Sequence, residues 1–429
     1  MPPEPMVGQT TRAGGVYFPR SARYRLCYTA PSHRRRRSLG WGAEHGGTGT
    51  HPRKGIAVDV VQVDAQNRRQ VRQWLDLPFR LYRDTPQWVP PMDSDARLVF
   101  DRQRHPYYEH SEAAFFLATE GGRAVGRIAA LENRNYNSFH GQNTAFFYLY
   151  ECEDDHETSR ALFTAASDWA RQRGLARIIG PKGFTTLDGM GILIKGFQHR
   201  PALGIAYNPP YYEALVLDAG FEPFDDDVSG YISRDLRLPA RVHDIAARVR
   251  QRRGLSVPTY TNKHQLKAIL PQVRDLYNRS LGRNFDQMPI TQGELRLMAD
   301  QVLAIADPRL IKLVMKGDEP IGFVLAYPDP SAAIQRTKGR LWPFGWADLL
   351  LELKRTKWLN INGAGILPEY QGLGGMALLL AELENAVRAS RCEHAEIVQI
   401  SVNNDKVQGV LRDLGIDFYK VHRVYQRAL

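Results

Sequence analysis

Apolar residues between Asn67 and Tyr82 recur at the spacing of one helix face, and three prolines in "RDTPQWVPPM" (Arg83–Met92) end the run. Beyond it the period shortens. Ala113–Ala118 and Ala124–Leu131 read as strands around a turn at Glu120–Arg123, a hairpin. The figure returns about 196 residues later, where "FFLATEGGRAVGRIAAL" (Phe115–Leu131) is matched by "IKLVMKGDEPIGFVLAY" (Ile311–Tyr327). Each hairpin is followed by a strand (Ala145–Cys152, Leu359–Leu367) and an amphipathic helix (Ser159–Gln172, Met376–Ala389). A further strand comes next (Ala176–Gly180, Ala395–Val402), then a short helix closing on Gly220 or Gly415. This order predicts a tandem repeat of one α/β unit, joined near Ser233–Arg241.

Charge changes the picture only at one end. The formal net charge is +11, but residues 1–54 hold ten Lys and Arg against two Asp and Glu, so the rest carries +3. A nearly balanced body does not call for a polyanionic partner. The tail is rich in Gly, Pro, Ser and Arg, without hydrophobic periodicity, and is expected to be disordered. A dispensable extension, or an arm for nucleic acid or a membrane surface, are the readings it admits. No apolar stretch follows its arginines, so no secretory signal is expected. No run approaches the roughly 20 apolar residues that span a bilayer, and no stable membrane association is expected. Cys27, Cys152 and Cys392 are too far apart for a disulfide framework or a zinc pattern, which favours a reducing, cytoplasmic setting without a metal.

The stretch with the most chemistry is "ILPEYQGLGGMALLL" (Ile366–Leu380), a strand running through glycines into a helix. A tight turn without a ligand is one reading. A dinucleotide fingerprint is another, since Gly372-Leu-Gly374-Gly-Met-Ala377 satisfies G-x-G-x-x-A. Pro368-Glu-Tyr intervenes after the strand, however, and too little chain follows for the sheet such a motif opens. The third reading is an anion cradle, in which backbone N–H groups at a helix start converge and glycines let a diphosphate approach.

Here the chain resembles the GNAT superfamily of acyl-CoA N-acyltransferases. The family's diphosphate loop, Q/R-x-x-G-x-G/A after its fourth strand, is matched by Gln371-Gly372-Leu373-Gly374-Gly375-Met376. Its second motif, an Asn eleven residues before a Gly, is matched by Asn404 and Gly415. The wider likeness, over residues 57–429, is to tandem GNAT-like bacterial proteins, carried by "YRDTPQWVPP", "HPYYEHSEAAFFLA", "YNPPYY" and "RLWPFG". The resemblance implies an α/β fold of two tandem GNAT-like domains, mainly antiparallel sheets flanked by helices. It divides the chain into the tail (1–54), a degenerate domain (55–232) and a CoA-binding domain (233–429). Acetyl-CoA or another acyl-CoA would be held by Gly365, Ile366, Leu367, the loop residues 371–376 and Asn404. Two positions depart from the family: Met376 stands where Gly or Ala is usual, and Leu411 where a Tyr would protonate the leaving thiolate.

No Asp or Glu lies within Leu359–Leu367 to act as a base; Tyr419 and Tyr425 are the nearest phenols, and the catalytic residues stay unassigned. The first half carries "YECEDDHE" (Tyr150–Glu157) in place of a glycine loop, acidic where a diphosphate would sit. Asp154, Asp155 and Glu157 suit the start of a helix; metal ligation and a Cys152–His156 nucleophile and base are the alternatives. "GPKGFTTLDGMG" (Gly180–Gly191) and "YNPPYY" (Tyr207–Tyr212) suggest an acceptor pocket with Asn208, Tyr211 and Tyr212 as substrate contacts. Lys338–Trp358, mixing Trp and Phe with Lys and Arg, reads as a helix packed on its own domain; a cover over the acceptor entrance or a membrane contact are the alternatives. The expected activity is acyl-CoA-dependent N-acyl transfer, acetyl to a small-molecule amine. A non-catalytic CoA or small-ligand binder and an aminoacyl-tRNA-dependent transferase are the alternatives.

Overall fold

In β2 (Glu112–Glu120), Ala114, Phe116 and Ala118 enter one core while Ala113, Phe115 and Leu117 enter another. A strand buried on both faces loses the polar alternation of a half-exposed one, which is why this segment reads as an unbroken apolar run. The computed structural model describes residues 58–280 and 285–429; the tail expected over 1–54 lies outside them.

The first half runs β1 (Asp59–Gln62), α1 (Arg68–Leu81), α2 (Asp93–Leu98), β2, β3 (Arg123–Glu132), α3 (Arg134–His140) and β4 (Thr144–Cys152). It continues through α4 (His156–Arg171), β5 (Arg177–Gly180), β6 (Ile192–Lys195), α5 (Tyr212–Asp218) and β7 (Glu222–Ser233). The second half runs α6 (Ala240–Arg253), β8 (Leu255–Ser256), α7 (Lys263–Ser280), α8 (Gln292–Ile305), β9 (Lys312–Lys316) and β10 (Glu319–Pro328). Then come α9 (Ser331–Thr337), α10 (Gly345–Arg355), β11 (Trp358–Ile366), α11 (Gly375–Ala389), β12 (His394–Ser401), α12 (Asp405–Asp413) and β13 (Asp417–Ala428).

The strands form one continuous sheet in the order β1-β2-β3-β4-β5-β13-β7-β12-β11-β10-β9-β8, with β6 also against β13. The two halves are woven together at its centre. β13, last in the chain, pairs antiparallel with β5 and β7, both of the first half, and β7 pairs antiparallel with β12 of the second. Each half thus lends its final strand to the other's sheet, and helices cover both faces with separate apolar cores.

Both halves open at the same point. β4 pairs in parallel with β5 only over Thr144–Phe146, and β11 with β12 only over Trp358–Ile361. Just beyond, each strand bulges against its hairpin neighbour, β4 opposite Arg127–Ala129 and β11 opposite Val324–Ala326. The bulges turn through left-handed residues, Leu149 (φ 52°) and Gly363 (φ 95°). Glycine enters that region freely; for leucine it costs roughly 1–2 kcal/mol, which the surrounding sheet must offset.

Asp227, on β7 opposite His422 of β13, is buried with Oδ2 unpartnered among the described residues. Burial first, then Asp286 and Asp225, push its carboxyl up to about 8, against the pull of Lys182. A folded-state value above the unfolded one means the native protein holds a proton that the unfolded chain releases, so stability falls as pH rises towards 8. Asp227→Asn should therefore melt higher than the wild type at pH 8.5, by on the order of 3 °C, with the difference closing towards pH 4. Thermal melts across that range check the sign.

Candidate active site

The segment from Gly365 to Met376 forms a strand, a loop and a helix start. Leu367 ends the strand by donating its N–H to Ile321 O at 2.9 Å, and Gln371 folds back to donate from Nε2 to Ile366 O at 3.2 Å. Gly372 (φ 73°) and Gly374 (φ 89°) then turn the chain into α11. No side chain caps that helix, so its first N–H groups have no intrahelical partner and the positive end of its dipole is open. A Cβ on Gly372 would meet nothing within 4 Å; one on Gly374 would strike Val249 at 2.5 Å and Ile245 at 2.9 Å, both on α6. Met376 packs against the apolar core beneath α11, which accommodates a side chain the resemblance marked as a departure.

Beside this helix start, Gly363 and Ala364 are exposed on the stretch of β11 that β12 no longer pairs. Asn404 follows β12, the other arm of the opening, and its Oδ1 accepts from Val407 N at 3.3 Å within α12. The residues predicted to hold a CoA thus occupy the two arms of one V-shaped gap. Glu396, on β12 just before the gap, has both carboxylate oxygens committed. Lys420 Nζ donates to them at 2.8 and 2.9 Å, and Tyr419 Oη adds a bond at 2.9 Å.

The corresponding loop of the first half is closed to an anion. Asp155 caps α4, accepting from Thr158 N at 2.7 Å, and Glu157 lies in its first turn. The Cys152–His156 alternative does not form: Cys152 is buried, which raises its thiol, while His156 Nδ1 lies at the surface 3.0 Å from Asp218. Among the described residues no group of three or more His, Cys, Asp and Glu is placed to hold a metal ion.

Instead, the opening of the first half faces a cavity of about 590 Å³, within the range that holds drug-sized ligands. The β4 bulge forms one side with Tyr148, Leu149 and Tyr150. Trp88–Met92 and Leu203–Asn208 form others, and α8, Tyr327 of β10, Ile334 of α9 and Leu349 of α10 close it from the second half. Tyr327 links it to the gap between β11 and β12, because Asn362 in the β11 bulge reaches its hydroxyl at 3.4 Å.

Two polar groups interrupt these mostly apolar walls. In the first, Glu151 Oε2 accepts from Tyr82 Oη and Tyr212 Oη, each at 2.7 Å, while Arg127 stands 3.7 Å from Oε1 and lies over the Trp74 ring. Burial raises the Glu151 carboxyl, opposed by Arg127 and the two phenols. In the second, Asp95 and Asp188 are both raised by burial, and the Asp95 charge raises Asp188 further. Neither makes an ion pair among the described residues; Asp188 Oδ2 accepts from Thr185 N at 2.8 Å, and its charge acts on the buried Lys182.

Of the predicted acceptor residues, Asn208 and Tyr212 line the cavity and Tyr211 packs behind it. Asn208 is spent on structure, accepting from Leu193 N at 2.7 Å and donating to Leu193 O at 3.2 Å. Tyr211 Oη donates to Cys152 O at 2.9 Å and pins the end of β4. Sequence reasoning missed Tyr82, Asp95, Arg127, Glu151 and Asp188. The signal for one of them was present: Arg127 is a lone cation inside the apolar run of β3, and such a charge is paired when buried.

The chain is 27% identical over 381 residues to a protein of Caulobacter vibrioides (strain NA1000 / CB15N) named bacterial ceramide synthase, covering 86% of this chain and 98% of that one. It is 26% identical over 375 residues to Protein YghO of Escherichia coli (strain K12), covering 85% and 94%. Among solved structures, a tandem GNAT protein from the clavulanic acid biosynthesis pathway superposes with a TM-score of 0.52 at 15% identity, covering 87% of this chain and 98% of that one. Residues 270–416 match the model of the acetyltransferase (GNAT) family, and the chain shares the fold of the tandem GNAT protein.

Proposed function

We propose that this protein is an acyl-CoA-dependent N-acyltransferase whose amine acceptor carries a long apolar chain. The observation that carries the reading is the cavity, with mostly apolar walls, two carboxyl groups that make no ion pair among the described residues, and a hydrogen-bonded link through Tyr327 to the gap between β11 and β12. In this reading the second half holds the acyl-CoA. The N–H groups of Gly375 and its neighbours receive the diphosphate, and the unpaired edge of β11 beyond Ile361 receives the arm that ends in the thioester. The first half holds the acceptor, with Asp95 and Asp188 taking its ammonium and the apolar walls its chain. The division of labour between residues 55–232 and 233–429 is part of the proposal.

A ceramide is an N-acylated long-chain amino alcohol, so the relative named as a ceramide synthase supports an acceptor of this class. Thiol release, measured with acyl-CoAs from two to eighteen carbons against long-chain amino alcohols and small amines, is the test. Turnover confined to chain-bearing amines is the expected result. Turnover with acetyl-CoA and small amines alone would return the function to acetyl transfer, and CoA binding without thiol release would leave a non-catalytic binder.

The carboxylate pair gives a sharper expectation. Asp188→Asn should raise KM for the amine about tenfold or more, the worth of a desolvated charge-assisted contact, while KM for the acyl-CoA stays unchanged. An equal change in both constants would remove Asp188 from the acceptor site.

A further inference from the structure

Nine large hydrophobic residues are exposed among those described, and six of them fall between Leu341 and Leu351. Trp342 is 83% exposed, Phe344 77%, Trp346 50% and Leu350 51%. The expectation of a helix packed on its own domain holds only on one side: α10 packs on α9 and its Leu349 joins the cavity lining, but none of its residues is fully buried. A water-soluble surface has no reason to hold two tryptophans and a phenylalanine in one short segment unless something covers them.

The charges around the patch say what. The acids of α10 are consumed locally, because Arg336 Nη2 bonds Asp348 at 2.8 Å and Glu352 at 2.6 Å. Lys338, Arg340, Lys354 and Arg355 are exposed and form no ion pair among the described residues. An aromatic and leucine face rimmed by uncompensated cations matches the headgroup region of an anionic bilayer, where tryptophan sits at the interface and basic side chains meet the lipid phosphates.

We propose that residues 338–355 form an interfacial docking face for an anionic lipid bilayer. The segment lies on the membrane without crossing it, since no helix among the described residues is long and apolar enough to span one. The face is continuous with the cavity, because Leu341 and Leu349 belong to the cavity lining. Given the chain-bearing acceptor proposed above, a lipid amine then passes from the bilayer to the cavity without crossing water.

The test is flotation of the full chain with vesicles of phosphatidylcholine containing 30% phosphatidylglycerol, against pure phosphatidylcholine, at low and high salt. The wild type should float with the anionic vesicles only. Trp342→Ser with Phe344→Ser should lower the partition coefficient at least tenfold with an unchanged melting temperature. Replacing Lys338, Arg340, Lys354 and Arg355 by Gln should lower it by roughly fivefold per charge. Equal flotation of wild type and the aromatic variant would assign the membrane contact to another part of the chain, such as its basic N-terminal residues, and overturn the proposal. Absence of flotation together with a wild-type dimer that the aromatic variant dissociates would also overturn it, making the face a protein interface. Flotation involves no turnover, so this result is read apart from any failure of the acyl-transfer assay.

Discussion

Gly372→Asp should weaken CoA binding by about a hundredfold or more while leaving the melting temperature within about 2 °C of the wild type. The backbone at Gly372 has φ 73° and an added Cβ meets nothing within 4 Å. Aspartate is among the few side chains that tolerate the left-handed region, so the fold is spared. Its carboxylate would stand in the cradle where the diphosphate is expected. Like charges about 4 Å apart at an effective dielectric near 20 repel by roughly 4 kcal/mol, and even half of that is more than a tenfold loss. Gly374 is the wrong place for this experiment, because its Cβ would push on Val249 and Ile245 and displace α6. Isothermal titration with CoA against the two variants separates the effects. Unchanged affinity in Gly372→Asp would put the diphosphate elsewhere.

The second large effect concerns stability. Lys420 and Glu396 form an ion pair that is nearly free of solvent, with side-chain exposures of 1% and 3%. Burial lowers the Lys420 ammonium and raises the Glu396 carboxyl, and each charge is held by the other. Lys420 Nζ also donates to Arg200 O at 2.7 Å, and Arg200 pairs with Asp329 at 3.0 Å. Lys420→Met should cost about 3–5 kcal/mol, because it strands a buried carboxylate. Adding Glu396→Gln should restore most of that, since the pair as a whole contributes far less than the loss of one member. Denaturant unfolding of the single and double variants closes the cycle. A single variant that costs under about 1 kcal/mol would show that water reaches Glu396.

Much of the fold was legible because the two halves repeat a pattern of strand, turn and helix that is local in sequence. The hairpin strands, β4, β11, α1, α4 and α11 all lie within a few residues of where the apolar period places them. What could not be read is pairing. Nothing in β7 or β13 states which edge each will join, since an antiparallel partner leaves no mark beyond alternation. The glycine turn into α11 was visible because its glycines are adjacent in sequence. The cavity of the first half was legible only at Asn208 and Tyr212, because Tyr82, Asp95, Glu151 and Asp188 come from separate elements and meet only after folding. The exposed outer face of α10 could not be read, because tryptophan and leucine at helical spacing do not say whether protein covers them.

The interleaving of β7 and β13 bears on how the chain is made. β5 is translated near residue 180, but the strand that completes it begins at Asp417. At roughly 5–20 residues per second, the edge of β5 stays open for about 10 to 50 s of synthesis. During that interval β7 also lacks both of its neighbours, which arrive as β12 and β13. Open edges of this kind invite pairing with other chains. The native pairing of β5 and β7 therefore waits for the synthesis of β13.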